Sequence, residues 1–585
     1  MSVDLILWNS IAARRRSPSD TFLDNGLGML KASLEKQGFV VNIVDWAQGS
    51  YWAKFTPKSL ARLNRFLSSI LLFPYWREKK LSSYLSKLIF PFFLLSQKLT
   101  SAFQKRSLDK MLRSFAVSLK DSGCRVFGVK TWYGEAYVTA NSLAGLIKSY
   151  VPDILLISGG PHPSIYRETF LKDSVFDIAV TGEGEKALAG ILTLVNHTKT
   201  KDELLKRIAE EVSVGNLKNI MYRNANTVAL SDTDETDANE KMVPSYCDTR
   251  GKTKIHVVVE ALGCPWGKCN FCVHSRIYPY HSLRNPRSVV DEINKMISQD
   301  IGIFRFAGST SSLSHIREIA RLLLEENGKI IYSMFARSES GASDQEKYNW
   351  IVETYRLLIR SGLRAVFIGG ESSDDRILRS VINKGLTVDD IIATIKAMRE
   401  ASLLEGLPLD IGLSFIHPVP TMGIITLEEL KEKNITLVEE TTPDSVLVNP
   451  PAPFPGTSWY NNSAQFGFEL GNNFTRNMLG YDYVLYKPPS LWPDINMKLE
   501  GMNFRQILAE CQSLRKSLEN KGFITEVTDE HFLMMRAAGY TGKEGARKFK
   551  NEVLLDIVSG DYRWITQLEE KVNQASKKQA LLNMR

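Results

Sequence analysis

Apolar residues fall into two long series of short runs, most of them followed by a stretch with helical spacing. In the first series Val3–Trp8, Val40–Asp45, Arg125–Thr131, Asp153–Ser158 and Phe176–Thr181 read as strands, and Phe22–Gln37 and Ala136–Tyr150 as helices. Strands separated by helices of this length predict right-handed crossovers and an α/β, doubly wound parallel sheet over residues 1–200. Ligands of such sheets sit beyond the carboxyl ends of the strands. Two glycine-bearing turns lie there, "SGGPHPS" (Ser158–Ser164) and "TGEGE" (Thr181–Glu185). Residues 201–250, with the acidic "SDTDETDANEK", read as a connector.

The second series starts at "KIHVVVEA" from Lys254 and continues with strands Ile303–Ala307, Lys329–Phe335, Arg364–Gly369, Asp410–Ile416 and Asp444–Asn449. Helices are expected at Ser288–Ser298, His315–Glu326, Glu346–Ser361, Val388–Glu400 and Leu427–Glu440. Six such units predict a partial (β/α)6 barrel over 251–460, with its site at the carboxyl ends of the strands. Residues 461–585 read as mainly helical.

Composition adds little: 44% hydrophobic and 24% charged residues are ordinary for a soluble globular protein. The first apolar run is too short for a signal peptide, and no run reaches the roughly 18 apolar residues of a spanning helix. Six cysteines in 585 residues make no disulfide framework, which predicts a reducing, cytoplasmic setting. Charge changes the picture more. Thirteen lysines and arginines face two acids, Glu78 and Asp109, over residues 51–113, whereas the whole chain carries only +8. The same stretch is rich in Phe, Leu, Trp and Tyr, the profile of an insertion that either packs on its own domain or contacts an anionic membrane surface. Nothing else in the chain supports nucleic-acid binding.

Three of the six cysteines fall within nine residues, "CPWGKCNFC", at the end of the first barrel strand. With His274 they offer a Cys3His zinc set. The C-x4-C-x2-C spacing is also that of a plant-type two-iron site, but the next cysteine, Cys511, is far away. The third option is a [4Fe–4S] cluster with three thiolates and one iron left open.

The loop resembles that of the radical S-adenosylmethionine (SAM) enzymes, whose usual signature is C-x3-C-x2-C with an aromatic residue before the last cysteine. Its longer first gap is similar to the C-W-W-G-K-C-x-F-C variant of cobalamin-dependent members. The resemblance implies Cys264, Cys269 and Cys272 as cluster ligands, with Phe271 beside them. "GGESSDDRILRSVINKG" (Gly369–Gly385) is similar to the fourth-strand segment, which would bring Glu371 and Ser372 to the SAM ribose or methionine and make Lys384 structural. "NPPAPFPGTSWY" looks like the sixth-strand segment ending in Pro455, Gly456 and Thr457, and Arg337 stands where the family places an arginine near SAM. The amine-binding Gly-Gly-Glu-Pro element is replaced by Phe306-Ala307-Gly308-Ser309-Thr310, leaving Gly308 as the candidate contact.

By the same resemblance the first 200 residues form a Rossmann-like cobalamin domain, with Gly159, Gly160, His162, Gly182 and Glu183 as corrinoid contacts. A lower-face histidine motif is absent, since the chain after the third strand reads "VKTWYGEAY". The implied cofactors are a [4Fe–4S] cluster, SAM and cobalamin. The implied activity is C-methyl transfer to an unactivated carbon of a peptide or small molecule, with a flavodoxin- or ferredoxin-type electron donor. Alternatives are rearrangement, cyclisation or coupling on a lipid-like substrate, or a non-enzymatic zinc module. His417 and Tyr460 are further candidates for the substrate pocket.

Overall fold

The computed structural model describes residues 3–72, 80–224, 227–246, 249–308, 310, 312–326, 328–481 and 493–583. Its first sheet contains β1 (Leu5–Asn9), β2 (Val41–Val44), β3 (Val126–Lys130), β4 (Leu155–Gly159) and β5 (Ile178–Val180), all parallel, in the order β2-β1-β3-β4-β5. Runs such as LILWN form central strands because helices cover both faces and bury every side chain. The strand order reverses between β1 and β3, which opens a crevice at their carboxyl ends.

Part of the expected connector belongs to this sheet. β6 (Ile220–Asn224) and β7 (Thr227–Leu230) extend it antiparallel beyond β5. β8 (Ile255–Val258) then opens the second sheet, and a short antiparallel pair, β9 (Ala261–Leu262) with β10 (Ser282–Leu283), brackets the cysteine loop.

The second sheet runs β8, β11 (Ile303–Phe306), β12 (Ile331–Ala336), β13 (Leu363–Glu371), β14 (Asp410–Ile416) and β15 (Ser445–Asn449), parallel and in chain order. It is an open (β/α)6 arrangement. Its outer helices start at side-chain caps, as at Asp344, Thr387 and Thr426, which satisfy the first free N–H groups. Strand alternation separates two cores. Phe304, Phe306, Met334 and Val366 pack outward on those helices, whereas Ile303 and Ala365 point inward with Phe532 and Leu533.

That inward core is supplied by the C-terminal region. Helix Asp529–Ala537 fills the lumen, and the bidentate pair of Arg305 (on β11) with Asp529, at 2.8 and 3.1 Å, and the Ser333 hydroxyl donating to Asp529 at 2.8 Å anchor it. Just before it, residues 524–526 hydrogen-bond along Val446 and cover the free edge of β15.

The basic insertion forms helices Lys58–Leu72 and Lys80–Ser118. They pack on each other and on helix Gly542–Ser559 through Leu67, Phe93 and Val558. Asn64 and Gln97 donate to the carbonyls of Ser559 and Val558, and Arg65 pairs with Glu552 and Asp556.

Candidate functional site

The end of β8 delivers the cysteine loop, and two distant segments brace it. Asn270 donates from its backbone to Ile382 (2.8 Å) and from its side chain to Val381 (3.1 Å). The Asn383 amide donates to the Lys268 carbonyl at 2.9 Å. From the segment after β15, the turn at Thr457 presents Trp459, whose backbone N–H donates to Asn270 (3.0 Å) and whose indole donates to Val381 (3.1 Å). The Trp459 ring lies 5.7 Å from Phe271. Phe271 therefore packs into this brace. The cysteine, Asn-Lys-Gly and Pro-Gly-Thr segments form one assembly.

The Trp266 indole donates to the Asn383 carbonyl at 2.8 Å and lies flat against Gly385. Gly385 has φ +64°, and a Cβ there would stand 2.3 Å from the Trp266 ring. Gly385→Ala is expected to cost about 1–3 kcal/mol of strain and to lower iron retained per chain, measured by colorimetric iron assay beside a melting curve. Arg337 lies 5.0 Å from the centre of the Trp266 ring and donates to the Lys384 and Gly385 carbonyls.

Cys264, Cys269 and Cys272 are unpaired and half-buried. Burial pushes the Cys269 thiol up to about 12 and raises that of Cys272, with Lys384, Glu371 and Arg337 in electrostatic range. Bare thiolates are costly here, and a bound cation removes the cost. Among the described residues no three His, Cys, Asp or Glu side chains converge on one metal ion. A four-iron cluster asks less convergence, since each thiolate binds its own iron.

At the end of β13, Glu371 has φ +65° and its carboxylate accepts from Lys384 Nζ at 2.9 Å. Lys384 thus holds Glu371 in place, and Ser372 is fully buried beside it. Gly308 sits tightly against Glu260. Its N–H donates to the buried Glu260 carboxylate at 2.9 Å, and a Cβ would stand 2.5 Å from that carboxylate. Its amide is committed to the protein.

Two cavities lie between the first sheet and the barrel, and the first of them adjoins the loop. The first, about 430 Å³, spans the carboxyl ends of the first sheet (Gly128, Gly159, Gly160, Gly182 and Glu183) and a barrel wall that includes His274 and Ala307. Its glycine-lined wall leaves room for a large planar ligand. The His274 Nε2 on the opposite wall is buried with no hydrogen-bond partner, so a polar ligand group can meet it.

His162 does not share this cavity, which corrects its assignment as a corrinoid contact. Its Nε2–H donates to the Leu479 carbonyl at 2.9 Å, and its ring lies within 5.0 Å of Tyr137 and Tyr166. Ser164, from the same turn, lines the cavity instead.

The second cavity, about 410 Å³, has mixed polar and apolar walls and lies between the first sheet and the barrel lumen, with Arg14, Arg16, Trp52, Trp132, Arg305 and Glu530 among them. Lys130 borders both cavities, 4.6 Å above the Trp132 ring and bidentate to Asp24 at 2.7 and 2.8 Å. Burial opposes the Asp24 charge, but Lys130 and the Leu27 N–H keep its pKa below the usual value. His417 and Tyr460 line neither cavity.

Burial pulls His162 and His531 down to about 3 and His417 to about 4. These values lie below the unfolded value of about 6.5, so their stabilisation is complete above pH 6.5 and is lost as pH falls toward the folded values. Urea unfolding should show stability falling below pH 6.5 by up to about 1.4 kcal/mol per pH unit for each histidine. His162→Gln should flatten that slope by one histidine's share.

Comparison with known proteins bears on this site. The description "Radical SAM superfamily" matches residues 261–432, and "B12 binding domain" matches residues 104–192. The two matches fall in chain order, a B12-binding domain ahead of a radical SAM domain. The structure of TsrM from Kitasatospora setae, a radical S-adenosylmethionine methyltransferase with cobalamin and a [4Fe–4S] cluster bound, aligns over 94% of this chain and 99% of its own at TM-score 0.60 and 14% identity. The cobalamin-dependent radical enzyme OxsB, with aqua-cobalamin and S-adenosylmethionine bound, aligns over 100% of this chain and 80% of its own at TM-score 0.54 and 14% identity. At such identity the likeness is one of fold.

Curated relatives are named anaerobic magnesium-protoporphyrin IX monomethyl ester cyclase. That of Cereibacter sphaeroides is 25% identical over 281 residues, 45% of this chain and 42% of the relative. That of Rubrivivax gelatinosus is 21% identical over 280 residues, 46% and 47% respectively. The matched region thus spans less than half of each.

The sequence pattern alone did not point to Trp266, Asn270, Asn383, Trp459, Glu260 or Lys130 as parts of this site. The one legible signal was Trp266, the only large apolar side chain in the extra-long first gap.

Proposed function

We propose that this protein is a cobalamin-dependent radical SAM C-methyltransferase acting on a peptide or small molecule. The observation that carries the reading is the single cavity walled on one side by the B12-domain strand ends and on the other by the segment following Cys272. When bound, the cluster supplies an electron that cleaves SAM and the corrinoid carries a methyl group. The chain's own part is to hold and exclude. Cys264, Cys269 and Cys272 would ligate the cluster, while Arg337 and the Glu371–Lys384 pair flank SAM. Gly159, Gly160, Gly182 and Ser164 would let the corrinoid approach the backbone. The second cavity would take the substrate between the two domains, with Lys130 and Trp132 at its boundary. A flavodoxin- or ferredoxin-type protein would supply electrons.

Ring closure without methyl transfer is the second reading, and the cyclase names of the curated relatives favour it. The two separate without knowledge of the substrate. The full chain, reconstituted anaerobically with iron, sulfide and cobalamin, is reduced in the presence of methyl-deuterated SAM. Methyl transfer predicts S-adenosylhomocysteine approaching one equivalent per chain. Release of 5′-deoxyadenosine with no S-adenosylhomocysteine would overturn it and leave ring closure standing.

A further inference from the structure

Helix Lys80–Ser118 carries two stripes. Phe93, Ser96, Thr100, Gln104, Leu108 and Leu112 recur at helical spacing and are buried. A second stripe, Leu88, Phe92, Leu95, Leu99 and Phe103, also recurs at steps of three and four residues, yet these side chains are 68%, 64%, 56%, 46% and 44% exposed. The shared spacing places them on one helix face over a length of about 22 Å. Folded proteins rarely leave so continuous an apolar stripe in water unless something covers it.

Charge identifies the cover. From residue 88 to 103 the only charged side chain is Lys98. Beyond the stripe Lys105, Arg106, Lys110 and Arg113 are exposed, with Asp109 the only acid among them. The neighbouring helix adds exposed Lys58 and Arg62 and exposed Leu63 and Phe66. A second copy of the chain would bring the same surplus of positive charge to the contact. A nucleic acid would match the charge but leave the phenylalanines and leucines in water. An anionic bilayer satisfies both, since its headgroups attract the lysines and arginines while its acyl boundary takes the apolar stripe. Among the described residues no helix is long and apolar enough to cross a membrane, which makes the contact a surface one.

We infer that helix Lys80–Ser118 docks this protein on the surface of an anionic phospholipid bilayer through Leu88, Phe92, Leu95, Leu99 and Phe103. The inference is independent of the reaction catalysed. The ion pairs of Arg65 with Glu552 and Asp556 tie the helical hairpin to the C-terminal region, so docking orients the whole molecule.

The test floats the full chain with vesicles of phosphatidylcholine alone and of phosphatidylcholine mixed with phosphatidylglycerol. Binding is expected to the mixed vesicles, to weaken at high salt, and to be at least about tenfold weaker for phosphatidylcholine alone. The variant Phe92→Ser/Leu95→Ser/Leu99→Ser should lose binding by roughly a hundredfold while keeping its melting temperature and iron content. Because the three side chains are solvent-exposed, the variant is expected to fold. Lys105→Gln/Lys110→Gln, a second variant, should lose the preference for phosphatidylglycerol. Three results overturn the inference: no flotation of the wild type, equal flotation of the serine variant, or concentration-dependent dimerisation that the serine variant abolishes.

Discussion

Trp459→Ala is expected to destabilise the barrel by about 3–5 kcal/mol, the range for truncating a large buried aromatic, and to strip most of the iron from the chain. The two effects have one origin. Trp459 is fully buried among Phe271, Phe466 and Phe468, and its indole and backbone bond the two segments that carry the cysteine loop. A cavity at this point lets Asn270 and Phe271 shift, and the spacing between Cys269 and Cys272 then varies. Trp459→Phe keeps the apolar contact and loses only the indole donor, which should cost about 1 kcal/mol and leave most of the iron in place. Urea unfolding with parallel iron and sulfide assays checks both. Full iron content in a destabilised Trp459→Ala protein would show that the loop holds its shape unaided.

The second large effect concerns the thiols. Cys272→Ala should reduce SAM cleavage by more than about a hundredfold, since even outer-shell changes around a metal cost roughly 10–100-fold. The fold should survive, because Cys272 is only half-buried and contributes little packing. Cys511 is the instructive contrast. It lies on helix Phe504–Asn520, fully buried, with its thiol on the Val448 carbonyl at 3.3 Å. Cys511→Ala should cost stability and leave 5′-deoxyadenosine production unchanged. If instead it removed iron, a four-cysteine site would be in play.

The strands of both sheets were legible because parallel strands buried on two faces read as uninterrupted apolar runs. The β6–β7 hairpin was not, since its residues are largely exposed and their alternation is weak. The site split along a similar line. The cysteine cluster is legible in its local spacing, whereas Glu371 and Lys384 came only through the family resemblance. His162 sits in a turn whose position matched a corrinoid contact, but a carbonyl 317 residues away claims its imidazole. The Gly308 N–H likewise meets a partner the local pattern does not show, Glu260 at another strand end. The C-terminal helices could be foreseen as helices. That one of them fills the barrel could not, because it depends on isolated strand charges, Arg305 meeting Asp529 and Asp410 meeting Arg536.

The pairing of Arg15 with Glu569 bears on the order in which the protein is made. Arg15 is fully buried and its guanidinium meets the Glu569 carboxylate at 2.6 Å, across 554 residues of sequence. Arg305 waits in the same way for Asp529. During synthesis the N-terminal sheet emerges first, yet it exposes an unpaired arginine until residues beyond 569 have left the ribosome. A nascent barrel lacks its lumen helix until residue 529 arrives. Both arginines are thus satisfied only once the C-terminal helices have docked on the two sheets.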